Sequence, residues 1–159
     1  IMRMVYLIVD DLHLAEEITQ EVFIKAFENT SQFRGQSSPY TWLYRIALNL
    51  SRNSLQRRKR IRFEPLEEEG RFDIPEEPLE ELVTRRETGR RIRECISRPP
   101  LHYREVIVLF YYEDMRISDI AKVLEQPEGT VKSHLARGKE KLEKVMRKEG
   151  LVYERERSI

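Results

Sequence analysis

"ISDIAKVLEQPEGTVKSHLARGKEKL", Ile117 to Leu142, holds two helix-sized segments on either side of Pro127. In the first, Ile120, Ala121 and Leu124 fall on one face, and Ser118 is of a type that caps helix N-termini. In the second, Val131, Leu135, Gly138, Leu142 and Val145 recur at i, +4, +7, +11 and +14, a single apolar stripe that should pack inward. The small Ala121 lets the second helix cross closely. Together these features predict a helix-turn-helix. Lys132, Ser133, Ala136, Arg137 and Glu140 face outward. A helix of this width fits the major groove of DNA, where its outward N-terminal side chains reach base edges. Arg137 suits a bidentate contact to guanine, Lys132 serves phosphate or base, and the backbone near Gly129 and Thr130 offers N–H groups to a phosphate. With Ser133, His134, Ala136 and Lys139 these form the candidate DNA face. The competing reading is a plain helical hairpin whose basic face is merely solvated, with Glu140 paired to Lys144 one turn on.

The remaining chain also reads as helical, which makes the fold class all-α. Residues 12–29 place Leu14, Ile18, Val22 and Ala26 four apart, with Phe23 and Phe27 beside them. Pro39 is a plausible first-turn residue, and a helix is expected from about Thr41 to Arg60. "VIVLFYY" (Val106–Tyr112) has the composition of a buried strand, but its setting between short helices favours helix. At about 100° per residue, Leu43, Ile46, Ala47, Leu50 and Ser54 share the core side of Thr41–Arg60. Arg45, Asn49, Arg52, Gln56 and Lys59 share the opposite side. Amides read bases and cations hold phosphates. Trp42 lies on the border, near Asn49 and Asn53, where a ring either buttresses the core or wedges against a base pair. Base–aromatic stacking contributes about 1–3 kcal/mol, comparable with the cost of unstacking one step. Tyr44, beside Leu48 and Leu55, and Phe33 read as packing residues. In the other long helix, Glu17, Gln20 and Glu21 form an acidic–amide patch opposite Ile18 and Val22. It is either a solvated face or a dock for a basic partner, and Asp10, Asp11 and Glu16 would extend it.

The net charge of the 159 residues is only +1, yet the charge is segregated. Arg52 to Arg62 is basic, Glu64 to Glu81 strongly acidic, and Lys132 to Lys148 basic again, which suggests separate surfaces for separate partners. The acidic block carries Pro65, Gly70, Pro75 and Pro78 and reads as a flexible linker. The expected organisation is therefore two small helical domains, 1–62 and 84–150, with a linker over 63–83 and a tail over 151–159. The lone Cys95 has no disulfide partner and no metal-ligand spacing is present. No apolar run approaches the ~20 residues that span a bilayer, so a cytoplasmic location is expected. No nucleophile–base set, paired acids or phosphate-cradling glycine loop is evident, so neither enzymatic activity nor a cofactor or metal is expected.

"YREVIVLFYYEDMRISDIAKVLEQPEGTVKSHLARGKEKL" resembles region 4 of bacterial sigma factors of the extracytoplasmic-function (ECF) group. "HLAEEITQEVFIKAFENTSQFRGQSSPYTWLYRIALNLSRNSLQRRKR" resembles regions 2.2 to 2.4 of the same sigma-70 family. The chain departs from the pattern at Glu125 and Gln126, where the family usually has glycine and an apolar residue. It also lacks the usual leucine before the proline in "SRPPLHYREV". The resemblance implies a transcription initiation factor that binds core RNA polymerase, recognises −10 and −35 promoter elements and starts melting at the −10 element. It implies that Glu17, Gln20 and Glu21 meet the clamp helices of the largest polymerase subunit, and that the C-terminal domain meets the flap of the second-largest. Phe33, Arg34, Trp42, Arg45, Asn49, Arg52, Asn53, Gln56 and Lys59 would serve the −10 element, with the loop Phe33–Thr41 holding a flipped base. Leu43 stands where primary sigma factors have a second tryptophan, which implies weaker melting. The resemblance also implies an anti-sigma partner that holds the factor at the membrane. It sends the acidic linker through the polymerase channels, where Glu67, Glu68 and Glu69 would mimic nucleic-acid phosphates. About twenty further residues would precede Ile1. Two other readings stand beside it: an autonomous dimeric helix-turn-helix regulator, and a helical interaction protein that never touches DNA.

Overall fold

Met2–Val9 forms helix α1, and Asp10 ends it by taking a left-handed conformation (φ 54°) and donating its N–H to the Tyr6 carbonyl. The next helix, α2 (Leu12–Glu28), starts where the Asp11 carboxylate accepts the Leu14 N–H at 2.7 Å. This computed structural model describes residues 1–33, 35, 37–61 and 80–151, and the described residues contain helices and turns but no strand. Arg34 and nearly all of the acidic segment, Glu67 to Glu69 included, lie outside them.

Burial pushes the Asp11 carboxyl upward, but the Leu14 amide and the Arg58 guanidinium, 2.9 Å away, more than reverse this and hold it below its ordinary value. Because the folded value is the lower one, its stabilisation is complete above the unfolded value of 3.8 and is lost as pH falls through the folded value. Replacing Asp11 with alanine is expected to cost about 1 kcal/mol in urea unfolding at pH 7, and progressively less in acid.

Helix α3 (Pro39–Ile61) begins with the expected first-turn proline. Helix α4 (Glu80–Ser97) begins four residues before the expected domain boundary at 84. Pro99 and Pro100 break the chain, and α5 (Leu101–Ile107) follows. "VIVLFYY" is helical as expected, but Val108–Tyr112 widens into a π turn whose Glu113 N–H reaches back to the Val108 carbonyl. Helix α6 (Ile117–Leu124) is not capped by Ser118: the chain turns helical one residue earlier, after the extended Arg116 (ψ 151°), which leaves Ser118 inside the first turn. Glu125 then takes a left-handed conformation (φ 55°), and α7 (Glu128–Lys148) follows Pro127.

Helix α1 lies at the centre, packed on α2 and α3 on one side and on α4, α5 and the π turn on the other. Its Met4, Val5 and Ile8 are fully buried and join Ile18, Val22 and Leu48 of the N-terminal half to Ile96, Val106 and Leu109 of the C-terminal half in one core. The two helical units are thus packed together. On α3 the fully enclosed positions are Thr41, Ala47, Leu48 and Ser51, whereas Leu43, Ile46 and Leu50 are only half-buried. The buried stripe is rotated from the expected one because α3 is covered on two sides, by α1 and α2 and by α6. In the C-terminal unit Val131 and Gly138 are buried and Leu135, Leu142 and Val145 half-buried, so the expected inward stripe of α7 holds.

Candidate nucleic-acid interface

Helix α2 presents Glu17, Gln20 and Glu21 to solvent, while Ile18 and Val22 close the core behind them. Among the described residues Glu21 pairs with the Lys25 ammonium one turn on, at 3.5 Å. Phe23 and Phe27 do not accompany the core residues. Phe23, Ile24 and Phe27 are exposed, Phe27 to 85%, and continue the acidic–amide patch as an apolar strip. The misplacement is angular: each phenylalanine follows a core residue by one position, about 100° round the helix. A helix with more apolar residues than one stripe accommodates carried the signal. A polar hollow of 230 Å³ beside the patch is lined by Glu17, Glu21, Ser54, Arg57 and Arg58.

On α3 the expected polar stripe divides. Asn49, Asn53, Gln56 and Lys59 are exposed. Trp42 is half-buried, its ring 5.2 Å from that of Phe33 and tilted by 41°, so Phe33 is a packing residue and Trp42 remains at the border. Arg45 and Arg52 instead turn toward the C-terminal unit. Arg52 donates Nε and Nη2 to the two carboxylate oxygens of Glu105, at 2.6 and 2.8 Å, and Glu105 is only 3% exposed. That hydrogen-bonded carboxylate raises the Arg52 pKa further above its ordinary value. Arg45 donates to the Lys122 carbonyl at 2.8 Å and faces the Glu125 carboxylate at 3.5 Å. Tyr44, expected only to pack, also donates its hydroxyl to Glu113; burial and that carboxylate push its phenol well above 10.

Helix α7 leaves Gly129, Lys132, Ala136, Arg137 and Lys139 exposed, with Thr130 and Ser133 half-covered. Its N-terminal turn is open, as a helix that enters a groove requires. His134 is not on that open face. Its ring packs edge-on against Tyr103 at 5.6 Å and lies 5.1 Å from His102. Burial first, then the electrostatic influence of His102 and Arg137, hold its imidazole below the ordinary value. The Lys144 ammonium does hold Glu140, at 2.7 Å. Behind α7 an apolar groove of 490 Å³ runs between α4, α5 and the π turn, lined by Ile92, Ile96, Tyr111, Leu142 and Met146 among others. Among the described residues no cluster of metal-ligating side chains occurs, and no helix is long and apolar enough to cross a membrane.

Residues 1–61 match the family described as Sigma-70 region 2, and residues 89–142 match Sigma-70, region 4. The RNA polymerase sigma-H factor of Pseudomonas aeruginosa is 34% identical over 154 residues, which cover 92% of this chain and 80% of that protein. The ECF RNA polymerase sigma factor SigW of Bacillus subtilis is 33% identical over 155 residues, covering 92% of this chain and 83% of that protein. Among solved structures, the sigma factor RpoE of Bartonella quintana, in complex with the anti-sigma factor NepR, superposes with a TM-score of 0.72 at 18% identity, covering 92% of this chain and 89% of that one. CnrH, in complex with the cytosolic domain of CnrY, superposes with a TM-score of 0.67 at 20% identity, covering 92% of this chain and 80% of that one. The two regions in order, and relatives that share nearly the whole chain, make this protein a member of the sigma-70 family and of its ECF group.

Proposed function

We infer that this chain is a transcription initiation factor that binds core RNA polymerase, recognises a two-part promoter and starts melting at its −10 element. The observation that carries the reading is the presence of two unlike surfaces on one framework. An acidic–amide patch lies on α2, a cation–amide face on α3 and a cationic face on α7. The chain supplies binding, and the polymerase supplies the chemistry.

In this reading Glu17, Gln20 and Glu21 dock on the basic clamp helices, with Phe23, Ile24 and Phe27 as apolar neighbours. The groove behind α7 receives the flap. Asn49 and Asn53 read the −10 element while Trp42 wedges against its first opened pair, and Arg45, Arg52, Gln56 and Lys59 hold phosphates. Gly129, Thr130, Lys132, Ser133, Ala136 and Arg137 form the −35 face. The two domains in this reading are 1–62 and 84–150. The chain works in the cytoplasm, and an anti-sigma factor, of the kind bound to the Bartonella quintana neighbour, is its inhibitor.

Run-off transcription with purified core polymerase on a promoter library tests the reading directly. Initiation should require both components, whereas an autonomous regulator would protect a palindrome without polymerase. On a promoter recovered from that library, Trp42→Ala is expected to lower initiation about tenfold, the equivalent of 1.4 kcal/mol of base stacking. A template already mismatched across its −10 element should restore most of the loss. If the mismatched template restores nothing, Trp42 is a core buttress and not a wedge.

A further inference from the structure

Two of the chain's three histidines meet beside the face assigned to the −35 element. His134 follows Ser133 on α7 and precedes Arg137 by one turn. Its ring lies 5.1 Å from that of His102, at the start of α5, and 5.6 Å, edge-on, from that of Tyr103. Tyr103 in turn lies 4.0 Å from the His102 ring and 5.8 Å from the Lys141 ammonium. His102 is exposed and His134 half-buried, so the pair runs from solvent into the contact between α5 and α7. The His134 Nδ1 is buried and has no hydrogen-bond partner among the described residues. A histidine kept for packing alone satisfies its ring nitrogens, because an enclosed polar atom without a partner is costly.

Histidine is the side chain whose ordinary charge change falls near neutral pH, and this pair is set among cations. After burial, His102 of α5 and Arg137 of its own helix oppose a proton on His134, while Glu105 of α5 favours one. Both Glu105 oxygens are held by Arg52, which offsets much of that help. Lys132, Lys139 and Lys141 add positive charge on the exposed side of α7. The proton is therefore opposed by groups of the same face that is to meet phosphate. Arg137 stands one turn along the axis, about 5.4 Å, inside the ~8 Å screening length of physiological salt. A phosphate that settles on Arg137 and Lys132 offsets their charge and brings a negative charge of its own. Each change favours the charged imidazole.

We propose that His102 and His134 form a proton-loaded extension of the −35 face: promoter phosphates on α7 draw a proton onto the pair, which then adds its charge to the contact. The proposal rests on the reading that α7 meets the −35 element. Coupling is reciprocal, so DNA promotes protonation by the same factor as protonation promotes DNA binding. Uptake of protons on binding makes affinity rise as pH falls. An imidazole whose midpoint rises by about one pH unit strengthens binding by at most about tenfold, and about fivefold is expected between pH 8 and pH 6.

Holoenzyme formed from the full chain and core polymerase is titrated with a fluorescent promoter duplex from the transcription library, at constant ionic strength, between about pH 8 and pH 6. The native chain should bind about fivefold more tightly at the acid end, and His102→Gln/His134→Gln should bring that ratio below about twofold. An equal ratio in both overturns the proposal. Lys132→Ala/Arg137→Ala separates it from the reading beneath. If that variant still discriminates native from scrambled −35 sequence as the native chain does, α7 is not the −35 face and both fall. If it loses discrimination while the histidine variant keeps the full pH ratio, the proton linkage alone falls. Should the histidine double variant fail to fold, the exposed His102 decides by itself. His102→Lys, charged throughout this range, should bind at the alkaline end about as tightly as the native chain does at the acid end. Binding no tighter than the native chain at the alkaline end rejects the proposal, since a ring needed only for packing would gain nothing from a fixed charge.

Discussion

Replacing Glu17 and Glu21 together with lysine is expected to raise the Kd for core RNA polymerase at least about 100-fold. Both side chains are exposed on the outer face of α2, so neither supports the core. A clamp helix that carries basic groups gains from them in the native chain. Lysines there turn two attractions into like-charge contacts, which cost several kcal/mol when desolvated, and 100-fold corresponds to only about 2.7 kcal/mol. Folding should barely change, since substitutions away from caps, core and buried pairs fall within about 0.5 kcal/mol. Competition between unlabelled variant and labelled native chain for core polymerase measures the effect. Phe27→Ala is the companion variant: so exposed a ring gives little packing stability to lose, so a drop in polymerase affinity would extend the dock along α2. Binding by Glu17→Lys/Glu21→Lys within threefold of the native chain would refute the assignment of this patch.

The helices were legible because their signals are local. A 3.6-residue period, Pro39 in a first turn and a short connection at Pro127 located α2, α3, α6 and α7 to within a few residues. The errors arise where the cause is not local. Ser118 resembled a cap, but the extended backbone that admits a helix falls at Arg116. Phe23 and Phe27 looked like core because periodicity reports apolarity, not what covers it, and an exposed apolar strip has the same composition as an interior one. Arg45 and Arg52 were correctly placed on the polar side of α3. Their partners lie 53 to 80 residues further along the chain, and no helical period connects such positions. The acidic character of Glu105 and Glu125 was visible, whereas the burial of Glu105 and the pairing of both with arginines of α3 are properties of the packed units alone.

Gly138→Val is expected to destabilise the protein by about 3 kcal/mol, near the upper end for overpacked cores, and to lower Tm by about 6–12 °C for a chain of this size. Helix α7 crosses α5 at this residue. A Cβ built on Gly138 would lie 3.1 Å from the Tyr103 Cβ and 3.1 Å from the Ile107 Cδ1. The isoleucine methyl could rotate, although Ile107 is wholly buried. The Tyr103 Cβ is fixed to the α5 backbone, so relief requires the two helices to separate. Glycine inside a helix ordinarily costs about 1 kcal/mol against alanine, so its presence here is explained by the crossing. Gly129 is the internal control. It lies on the same helix, and nothing stands within 4 Å of its Cβ position, so Gly129→Ala should be neutral or stabilising by up to about 1 kcal/mol. Opposite signs at two glycines of one helix, read by thermal unfolding, would separate close packing from propensity. The functional consequence follows from the same geometry. A helix pushed off α5 turns Lys132 and Arg137 away from the groove, so the Gly138 variant should lose discrimination between native and scrambled −35 sequences below its own Tm. A Gly138→Val chain with native stability would mean that α5 and α7 do not meet as closely as the crossing requires.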